Sequence, residues 1–310
     1  MTERLMLLDT ASLYFRAFFG VPDKVKAPGG SSVNATRGLL DIIAKLVTLY
    51  QPSQLIACWD DDWRPQWRVD LIPSYKAHRV VEEVAAAPDV EEVPDALQQQ
   101  IPLIREALGI LGIPVIGAAE HEADDVIGTL ATGAALPVDI VTGDRDLFQL
   151  VDDSRDVRVI YTARGMSNLE VVTDETVVAK YGVLPSQYAD FATLRGDASD
   201  GLPGVKGIGE KTAATLLRAH GDLAGIRAAA ADGLLTASAA ARFAEAAEYL
   251  DVAPTVVQVA TGLDVSAPGV ALGDLDEAAR DAAGALAERW NLGSSMSRAL
   301  SALTSAREAG

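Results

Sequence analysis

The sequence predicts an α/β fold with a mostly parallel central sheet, followed after about residue 175 by a helical region. Short apolar runs, which are typical of buried strands, occur at residues 5–8, 55–59 and 138–141. Helical periodicity is found between and around these runs, at residues 34–49, 96–111 and 122–131. Strands that alternate with helices indicate a parallel sheet covered by helices on both faces. We therefore expect ligands to bind beyond the carboxyl ends of the strands.

Length and composition set the broad class of the protein. The chain has 310 residues, enough for about two domains, and we place these at residues 1–175 and 176–310. The hydrophobic fraction of 49% and the charged fraction of 23% are typical of a globular protein. No apolar run approaches the roughly 18 residues that span a bilayer, and the single cysteine, Cys58, excludes an internal disulfide. These features predict a cytoplasmic protein.

The formal net charge of −18 argues against a polybasic protein that binds nucleic acid without specificity. Acidic residues that gather in one place bind divalent cations, however, and a bound cation attracts phosphate. The position of the acidic residues along the chain is therefore more informative than the net charge.

Aspartates follow the three predicted strands directly. Asp9 ends the first apolar run, Asp60 follows the second, and Asp144 and Asp146 follow the third within a Thr-Gly-Asp-Arg-Asp sequence. Carboxylates that pack together raise one another's pKa unless a cation such as Mg²⁺ binds between them. Asp9 is also typical of a helix cap, and Asp60 of a solvated turn. The repetition of acids after apolar runs favours a metal site over these separate explanations.

Two further acidic groups have less specific patterns. Glu122, Asp124 and Asp125 begin a predicted helix, where acidic side chains also complement the helix dipole. Asp197 and Asp200 lie between glycines and are also typical of a turn. Spacing alone leaves both explanations open.

Residues 73–95 differ from the rest of the N-terminal region. Three prolines, Pro73, Pro88 and Pro94, interrupt the segment, and pairs of glutamates add charge. We predict a mobile connection with partial helix. Insertions of this length often form lids or binding loops.

The most specific motif is the glycine-rich segment at residues 204–213, Gly-Val-Lys-Gly-Ile-Gly-Glu-Lys-Thr-Ala. Glycines let the backbone approach a ligand, and amides at the start of the following helix point at a phosphate. Lys206 and Lys211 add positive charge. The pattern is typical of helix–hairpin–helix elements, which hold the DNA backbone without reading the bases. The alternative is a simple glycine-rich turn between two helices.

Residues 196–213 resemble the bacterial flap endonuclease, or 5′–3′ exonuclease, family, which includes the 5′-nuclease domain of DNA polymerase I. Four further segments agree with the family in the same order, at residues 8–18, 75–79, 122–126 and 142–150. The resemblance covers about residues 5–300. It implies a PIN-like, Rossmann-like core with a helical arch at about residues 73–95, and a helical C-terminal region that contains the helix–hairpin–helix element.

The resemblance also implies a metal site that holds two or more Mg²⁺ or Mn²⁺ ions. One ion would be held by Asp9, Asp60, Glu122 and Asp124, the other by Asp144, Asp146, Asp197 and Asp200, with Asp125 near both. A one-residue insertion leaves Asp61 open as an alternative to Asp60. Arg16, Lys76 and Arg79 would steer phosphates at the scissile bond. The spacing of Lys76 and Arg79 allows both to face the active site from one helix.

DNA contacts are implied at two places. Tyr75 would stack on a base, and the hairpin would bind the duplex through Lys206, Gly207, Ile208, Gly209, Glu210, Lys211 and Thr212. The family also places a potassium ion at the hairpin, here held by backbone carbonyls near Leu194, Arg195, Pro203, Val205 and Ile208. Gly201 stands where relatives often carry Asn.

The resulting prediction is a structure-specific 5′ nuclease that hydrolyses DNA by two-metal-ion catalysis and leaves 3′-OH and 5′-phosphate ends. Its substrates would be DNA with 5′ flaps, nicks or 5′ ends, in replication and repair. Functional coupling to DNA polymerase and ligase, and a monomeric state without membrane association, are further implications. Two alternatives are a catalytically weak protein that binds DNA junctions and a PIN-like ribonuclease.

Overall fold

The computed structural model describes residues 3–82, 89–269, 272–273 and 275–309, without the side chains of residues 307–309. The strands are β1 (Leu5–Asp9), β2 (Gln54–Cys58), β3 (Val80–Glu82), β4 (Val90–Glu91), β5 (Val115–Ile116), β6 (Val138–Thr142), β7 (Val157–Tyr161) and β8 (Glu170–Val172). Six of them form one sheet in the order β5-β2-β1-β6-β7-β8, in which only the pairing of β7 with β8 is antiparallel. The predicted mostly parallel sheet is therefore confirmed.

Fourteen helices are found in the described ranges. They are α1 (Thr10–Gly20), α2 (Asn34–Tyr50), α3 (Gln66–Leu71), α4 (Asp95–Gln98), α5 (Ile101–Ile110), α6 (Ala123–Gly133), α7 (Asp174–Tyr181), α8 (Tyr188–Arg195), α9 (Glu210–His220), α10 (Leu223–Ala231), α11 (Ala237–Glu245), α12 (Ala247–Val257), α13 (Glu277–Trp290) and α14 (Ser294–Ala309). From α7 onwards the described chain contains helices and no strand, as predicted for the region after about residue 175. None of the described helices is long and apolar enough to cross a bilayer.

Strand β1 lies in the middle of the sheet and is buried on both faces, which explains its unbroken apolar sequence. Successive side chains of a strand point to opposite faces. Met6 and Leu8 accordingly pack in the core with α1, α2 and α5, whereas Leu5 and Leu7 pack in the core with α6. The two cores hold the carboxyl end of β1, and with it Asp9, between two layers of helices.

Strands β7 and β8 were not predicted. The reason is clearest in β7, where Arg158 interrupts the apolar pattern. Its guanidinium donates to the fully buried Asp139 of β6 at 2.7 Å, and Arg4 donates to the same carboxylate at 2.9 Å. A charged pair thus takes the place of an apolar contact between neighbouring strands.

The helical arch predicted for residues 73–95 is not found in the described part of this segment. A single 3₁₀ turn at Ala77–Arg79 leads into a short antiparallel hairpin of β3 and β4. Residues 83–88 lie outside the described residues. The base of the hairpin is held by Arg64, whose Nε donates to the carbonyl of Tyr75 at 2.7 Å, and by Trp63, whose Nε1 donates to the carbonyl of Asp89 at 2.7 Å.

The last two helices return to the N-terminal layer. Leu286 of α13 and Leu303 of α14 lie in the same buried core as Leu39 and Leu46 of α2. The C-terminal end of the chain is therefore part of the α/β layer, while α7 to α12 pack with the opposite core.

We expect Leu303→Ala to lower the free energy of unfolding by about 2–5 kcal/mol, because it leaves a cavity between α14 and α2. Leu303 is fully buried. The matched control is Leu234→Ala, at a leucine that is 72% exposed, where a change within about 0.5 kcal/mol is expected. Urea unfolding measures both. Equal losses in the two variants would contradict the packing of α14 on α2.

Candidate active site

A cleft of about 320 Å³ lies beyond the carboxyl ends of β1, β2 and β6. Parallel strands bring their carboxyl ends to the same edge of a sheet, so residues far apart in sequence meet there. The predicted site residues that line the cleft are Asp9, Asp60, Glu122, Asp124, Asp144, Lys76 and Arg79; Asp61 lines it as well.

Asp9 is buried at the end of β1 and also caps α1. Its Oδ1 accepts from the backbone N–H of Ser12 at 3.2 Å, and its Oδ2 accepts from the hydroxyl of Thr142 at 2.6 Å. Burial, together with the nearby Asp60 and Asp144, outweighs these hydrogen bonds and raises the pKa of Asp9 to about 7. The helix cap and the acidic site therefore use the same side chain.

Asp60 and Asp124 face the same cleft. The Oδ1 of Asp60 accepts from the backbone N–H of Ala123 at 2.8 Å, which joins the end of β2 to the start of α6. Burial raises the pKa of Asp60 to about 6, and burial together with Asp9 raises the pKa of Asp124 well above its usual value. Asp61 is exposed and lies 3.5 Å from Arg105. The local geometry therefore favours Asp60 over Asp61 as the inward-facing carboxylate.

Glu122 is held by three neighbouring side chains. Its Oε1 accepts from Arg68 Nη1 at 2.9 Å and from the hydroxyl of Tyr75 at 2.6 Å, and its Oε2 accepts from Lys76 Nζ. Burial lowers the pKa of Lys76, but Glu122 outweighs this effect, and the net pKa lies well above the usual value. Lys76 is therefore a fixed cation at the edge of the cleft.

Asp125 does not face the cleft. It is fully buried, accepts from Arg68 at 2.9 and 2.7 Å, and accepts from the backbone N–H of Ala260 at 2.8 Å. Both carboxylate oxygens are therefore engaged with α3 and with the chain after α12. We assign Asp125 to a buried ion-pair network with Arg68 rather than to a position near both metals, because a cation would have to break these bonds.

The second acidic group lies beside the first. Asp146 Oδ1 is buried, and no hydrogen-bond partner for it is found among the described residues. Burial raises the pKa of Asp146 well above its usual value, and Asp144, Asp200 and Asp197 raise it further. Burial also raises the pKa of Asp200 to about 6.

Asp197 is the exception in this group. Burial raises its pKa, but hydrogen bonds from Ser199 and the charge of Arg195 outweigh that effect and leave the pKa below its usual value. The backbone N–H of Ser199 donates to Asp197 at 2.8 Å, and Arg195 Nη2 donates to it at 3.1 Å. Asp197 is therefore already compensated by protein groups, unlike Asp146.

The prediction that Lys76 and Arg79 project from one helix is wrong. Lys76 has a positive φ of 48° and precedes the 3₁₀ turn that contains Arg79. Both side chains nevertheless line the cleft. The turn is held against the loop that carries Asp200, because the backbone N–H of Lys76 donates to the carbonyl of Asp200 at 3.0 Å.

The predicted stacking of Tyr75 on a base does not fit its position. Tyr75 is only 4% exposed, and its hydroxyl donates to Glu122. Its ring lies near the cations of Lys76, at 5.2 Å, and Arg68, at 5.8 Å. Tyr75 therefore supports Glu122 from within the core.

Arg16 lies beside the carboxyl end of β6. A Cβ atom at Gly143 would lie 3.4 Å from its Nη2 and 2.8 Å from the hydroxyl of Ser12. No hydrogen-bond partner for its buried Nε is found in the described part of the chain. Arg16 lines a neighbouring cavity of about 690 Å³ with Ser12 and Phe15, and those two residues also line the acidic cleft.

The glycine-rich hairpin connects α8 and α9. Its tight turn depends on the direct approach of Gly196 and Gly204, since a Cβ at Gly204 would lie 2.5 Å from the backbone nitrogen of Gly196. Val205 and Ile208 are buried and anchor the hairpin in the core. The remaining residues predicted to bind DNA are exposed, namely Lys206, Gly207, Gly209, Glu210, Lys211 and Thr212.

Two of the backbone carbonyls predicted to hold potassium accept hydrogen bonds within the hairpin. The carbonyl of Leu194 accepts from Val205 N–H at 2.9 Å, and that of Val205 accepts from Ile208 N–H at 2.9 Å. Pro203 is exposed and Arg195 ends α8. Potassium binding at these five positions stays a prediction.

The donor set of the cleft fits a hard divalent cation. It consists of carboxylate oxygens, several with raised pKa values, and includes Oδ1 of Asp146, for which the described residues offer no hydrogen-bond partner. Within the described ranges, however, no group of three or more His, Cys, Asp or Glu side chains is arranged to hold a metal ion. Glu122 in particular is occupied by Arg68, Tyr75 and Lys76.

Comparison with known proteins identifies the family of this chain. Residues 4–182 match the family model of the 5′-3′ exonuclease N-terminal resolvase-like domain, and residues 183–278 match that of the 5′-3′ exonuclease C-terminal SAM fold. The chain belongs to the 5′–3′ exonuclease family. A relative from Streptomyces coelicolor named 5′-3′ exonuclease is 59% identical over 96% of this chain and all of its own.

Two further relatives extend the comparison. A 5′-3′ exonuclease from Mycobacterium tuberculosis is 51% identical over 86% of this chain and 86% of its own. The crystal structure of the T5 D15 protein, co-crystallised with metal ions, covers 97% of this chain and all of its own with a TM-score of 0.64 and 19% identity. The T5 D15 structure supports the fold described above for this member of the 5′–3′ exonuclease family.

Several residues of the site were not predicted. Arg68 and Arg64 are buried, although arginine in a short helix or loop is usually exposed. Thr142 and Ser12, which contact Asp9, are small polar residues without a distinctive spacing. No pattern in the sequence identifies Arg68 or Thr142, because their partners lie more than 50 residues away along the chain.

We expect Arg68→Met to lower the free energy of unfolding by about 3–5 kcal/mol, because it leaves Asp125 and Glu122 buried without their cation. The control is Arg105→Met, which breaks the half-exposed pair with Asp61 and should cost no more than about 1 kcal/mol. Arg68→Lys should not restore full stability, since lysine lacks the bidentate geometry. Chemical denaturation distinguishes these cases, and similar stabilities for the two methionine variants would contradict the network.

Proposed function

We propose that this member of the 5′–3′ exonuclease family is a structure-specific 5′ nuclease that hydrolyses DNA at 5′ flaps and removes nucleotides from 5′ ends. The observation that carries the proposal is the gathering of Asp9, Asp60, Asp124 and Asp144 in one cleft, with Lys76 at its edge. The relatives named 5′-3′ exonuclease support the same activity.

The cleft residues fit the requirements of phosphodiester hydrolysis. Two or more Mg²⁺ or Mn²⁺ ions, held by the carboxylates, would activate water and stabilise the attacking and leaving oxygens. Lys76 and Arg79 would offset negative charge on the phosphate as it develops in the transition state. Arg16 would contact a phosphate next to the cleft through its guanidinium, whose Nε has no hydrogen-bond partner among the described residues. Glu122 would hold Lys76 in place. It would become a metal ligand only if a metal ion replaced one of its present partners, Arg68, Tyr75 or Lys76.

Duplex DNA would be held by the helix–hairpin–helix. Its exposed glycines allow the backbone to approach phosphates, and Lys206 and Lys211 supply charge. A potassium ion at the carbonyls of the hairpin would add a further positive charge. We also propose that the protein acts as a monomer in the cytoplasm, on nicks and flaps that DNA polymerase produces and ligase later seals.

Two other functions give different results with the same substrates. A junction-binding protein would bind flap DNA without turnover in any metal. A PIN-like ribonuclease would prefer an RNA flap to a DNA flap of the same sequence. The complete set of acids in and beside the cleft favours turnover, and the helix–hairpin–helix favours DNA.

We expect a DNA duplex with a labelled 5′ flap to be cut near the junction with Mg²⁺ or Mn²⁺ and not with chelator. Asp144→Asn should lower the rate by at least about 100-fold, because the site loses a carboxylate that holds a metal ion, and with it the stabilisation that the ion gives to transition-state charge. The control is Asp251→Asn, which removes the same charge from an exposed ion pair with Arg227. This variant should cleave the flap at the wild-type rate. Binding without cleavage, or faster cleavage of an RNA flap, would contradict the proposal.

We expect Asp60→Asn to stabilise the metal-free protein by roughly 1–3 kcal/mol at pH 8. The pKa of Asp60 is raised to about 6, so at higher pH the charged carboxylate opposes folding, and neutral Asn removes this cost while still accepting from Ala123. Ca²⁺ should then raise the melting temperature of the wild type more than that of the variant.

The same control variant, Asp251→Asn, should match the wild type in both chelator and Ca²⁺. If Asp60→Asn destabilised the metal-free protein, or if Ca²⁺ stabilised all three proteins equally, the assignment of Asp60 to a cation site would be wrong. Differential scanning calorimetry gives both quantities.

A further inference from the structure

The turn that carries Lys76 is clasped to the loop that carries Asp197 and Asp200. The backbone N–H of Lys76 donates to the carbonyl of Asp200 at 3.0 Å, and the hydroxyl of Ser74 donates to the carbonyl of Gly201 at 2.7 Å. Arg79 Nη2 donates to the carbonyl of Ser199 at 2.9 Å. Three hydrogen bonds from one short turn therefore end on three consecutive carbonyls of one loop.

In this chain the clasp depends on the absence of a side chain at Gly201; the relatives that carry Asn at this position require a wider spacing between the turn and the loop. A Cβ atom there would overlap the carbonyl oxygen of Ser74 and would lie 2.9 Å from its carbonyl carbon and 3.4 Å from the backbone nitrogen of Lys76. The overlap is with backbone, which cannot rotate away as a side chain can. An ordinary van der Waals contact is restored only when the turn and the loop separate by roughly 1.5 Å.

Lys76 is sensitive to such a separation. Its amine binds Glu122, and its backbone binds Asp200, so the turn connects the two acidic groups of the cleft. If the turn moves, the amine shifts relative to both groups. A misplacement of about 1 Å in a catalytic group costs up to about 100-fold in rate.

We propose that Gly201 is a positioning residue for the 5′ nuclease reaction, which sets the distance between the Lys76 turn and the Asp197–Asp200 loop through its direct contact with Ser74. The inference rests on the proposed function and specifies which contact aligns the cation with the second acidic group. Gly201 acts through Lys76 and does not itself touch the substrate.

A matched control separates this contact from simple backbone strain. Gly201 has a φ of +71°, so any substitution there is also strained. Gly233 has a φ of +70°, and nothing lies within 4 Å of a Cβ atom placed on it. Gly201→Ala and Gly233→Ala therefore carry the same conformational cost, and only the first displaces the turn.

The experiment measures amide hydrogen exchange of the peptide that spans residues 74–79, together with flap cleavage, in the metal-supplemented protein. Gly201→Ala should speed exchange of the Lys76 amide at least about tenfold and lower kcat by about 10- to 100-fold, with KM changed less than about twofold. Gly233→Ala should match the wild type in exchange at this peptide and in kcat.

Ser74→Ala provides a second variant that introduces no overlap and changes an exposed side chain. It removes one of the three hydrogen bonds and should give a smaller change of the same kind in exchange and kcat. Wild-type exchange at residues 74–79 in a folded Gly201→Ala protein, or equal effects in Gly201→Ala and Gly233→Ala, would overturn the proposal. If Gly201→Ala speeds exchange but the wild-type protein cleaves no flap, the clasp is supported and the proposed function is refuted.

Discussion

The structure depends on the cost of burying several carboxylates, wholly or in part, in one cleft. Burial raises the pKa values of Asp9 and Asp60, and the neighbouring negative charges raise them further. Folding tolerates this cost because the two cores on either side of β1 fix the carboxyl edge of the sheet. A divalent cation removes this cost, so metal binding should stabilise this edge of the sheet.

The acidic residues that pair with protein cations are not the ones that remain available to bind a metal ion. Arg68 neutralises Asp125 and part of Glu122 inside the core, and Lys76 binds the other oxygen of Glu122. Arg195 compensates Asp197. By contrast, no ion pair is found for Asp9, Asp60, Asp124, Asp144 or Asp146 in the described part of the chain. This division explains how one acidic region both links α3, the start of α6 and the Lys76 turn and keeps oxygen donors for a cation.

The sequence predicts the parts of this arrangement that depend on local pattern. Apolar runs identify β1, β2 and β6, and the aspartates after them identify the edge of the sheet, because strand burial and strand direction follow from the runs themselves. The glycine pattern identifies the hairpin. Local pattern does not reveal β7, whose Arg158 is neutralised by Asp139 of another strand. It also does not reveal that Arg68 is buried, because the partners of Arg68 lie more than 50 residues away. The arch and the role of Tyr75 were predicted from resemblance, and the described residues differ because Arg64 and Glu122 hold this segment inward.

Diffraction from crystals soaked in Mn²⁺ tests the central claim most directly, because anomalous scattering locates the ions without reference to activity. The account predicts anomalous peaks in the cleft between Asp9, Asp60, Asp124 and Asp144, with a second position towards Asp146 and Asp200. Soaked crystals whose only peaks lie away from these carboxylates, with Asp146 Oδ1 still unpartnered, would contradict it.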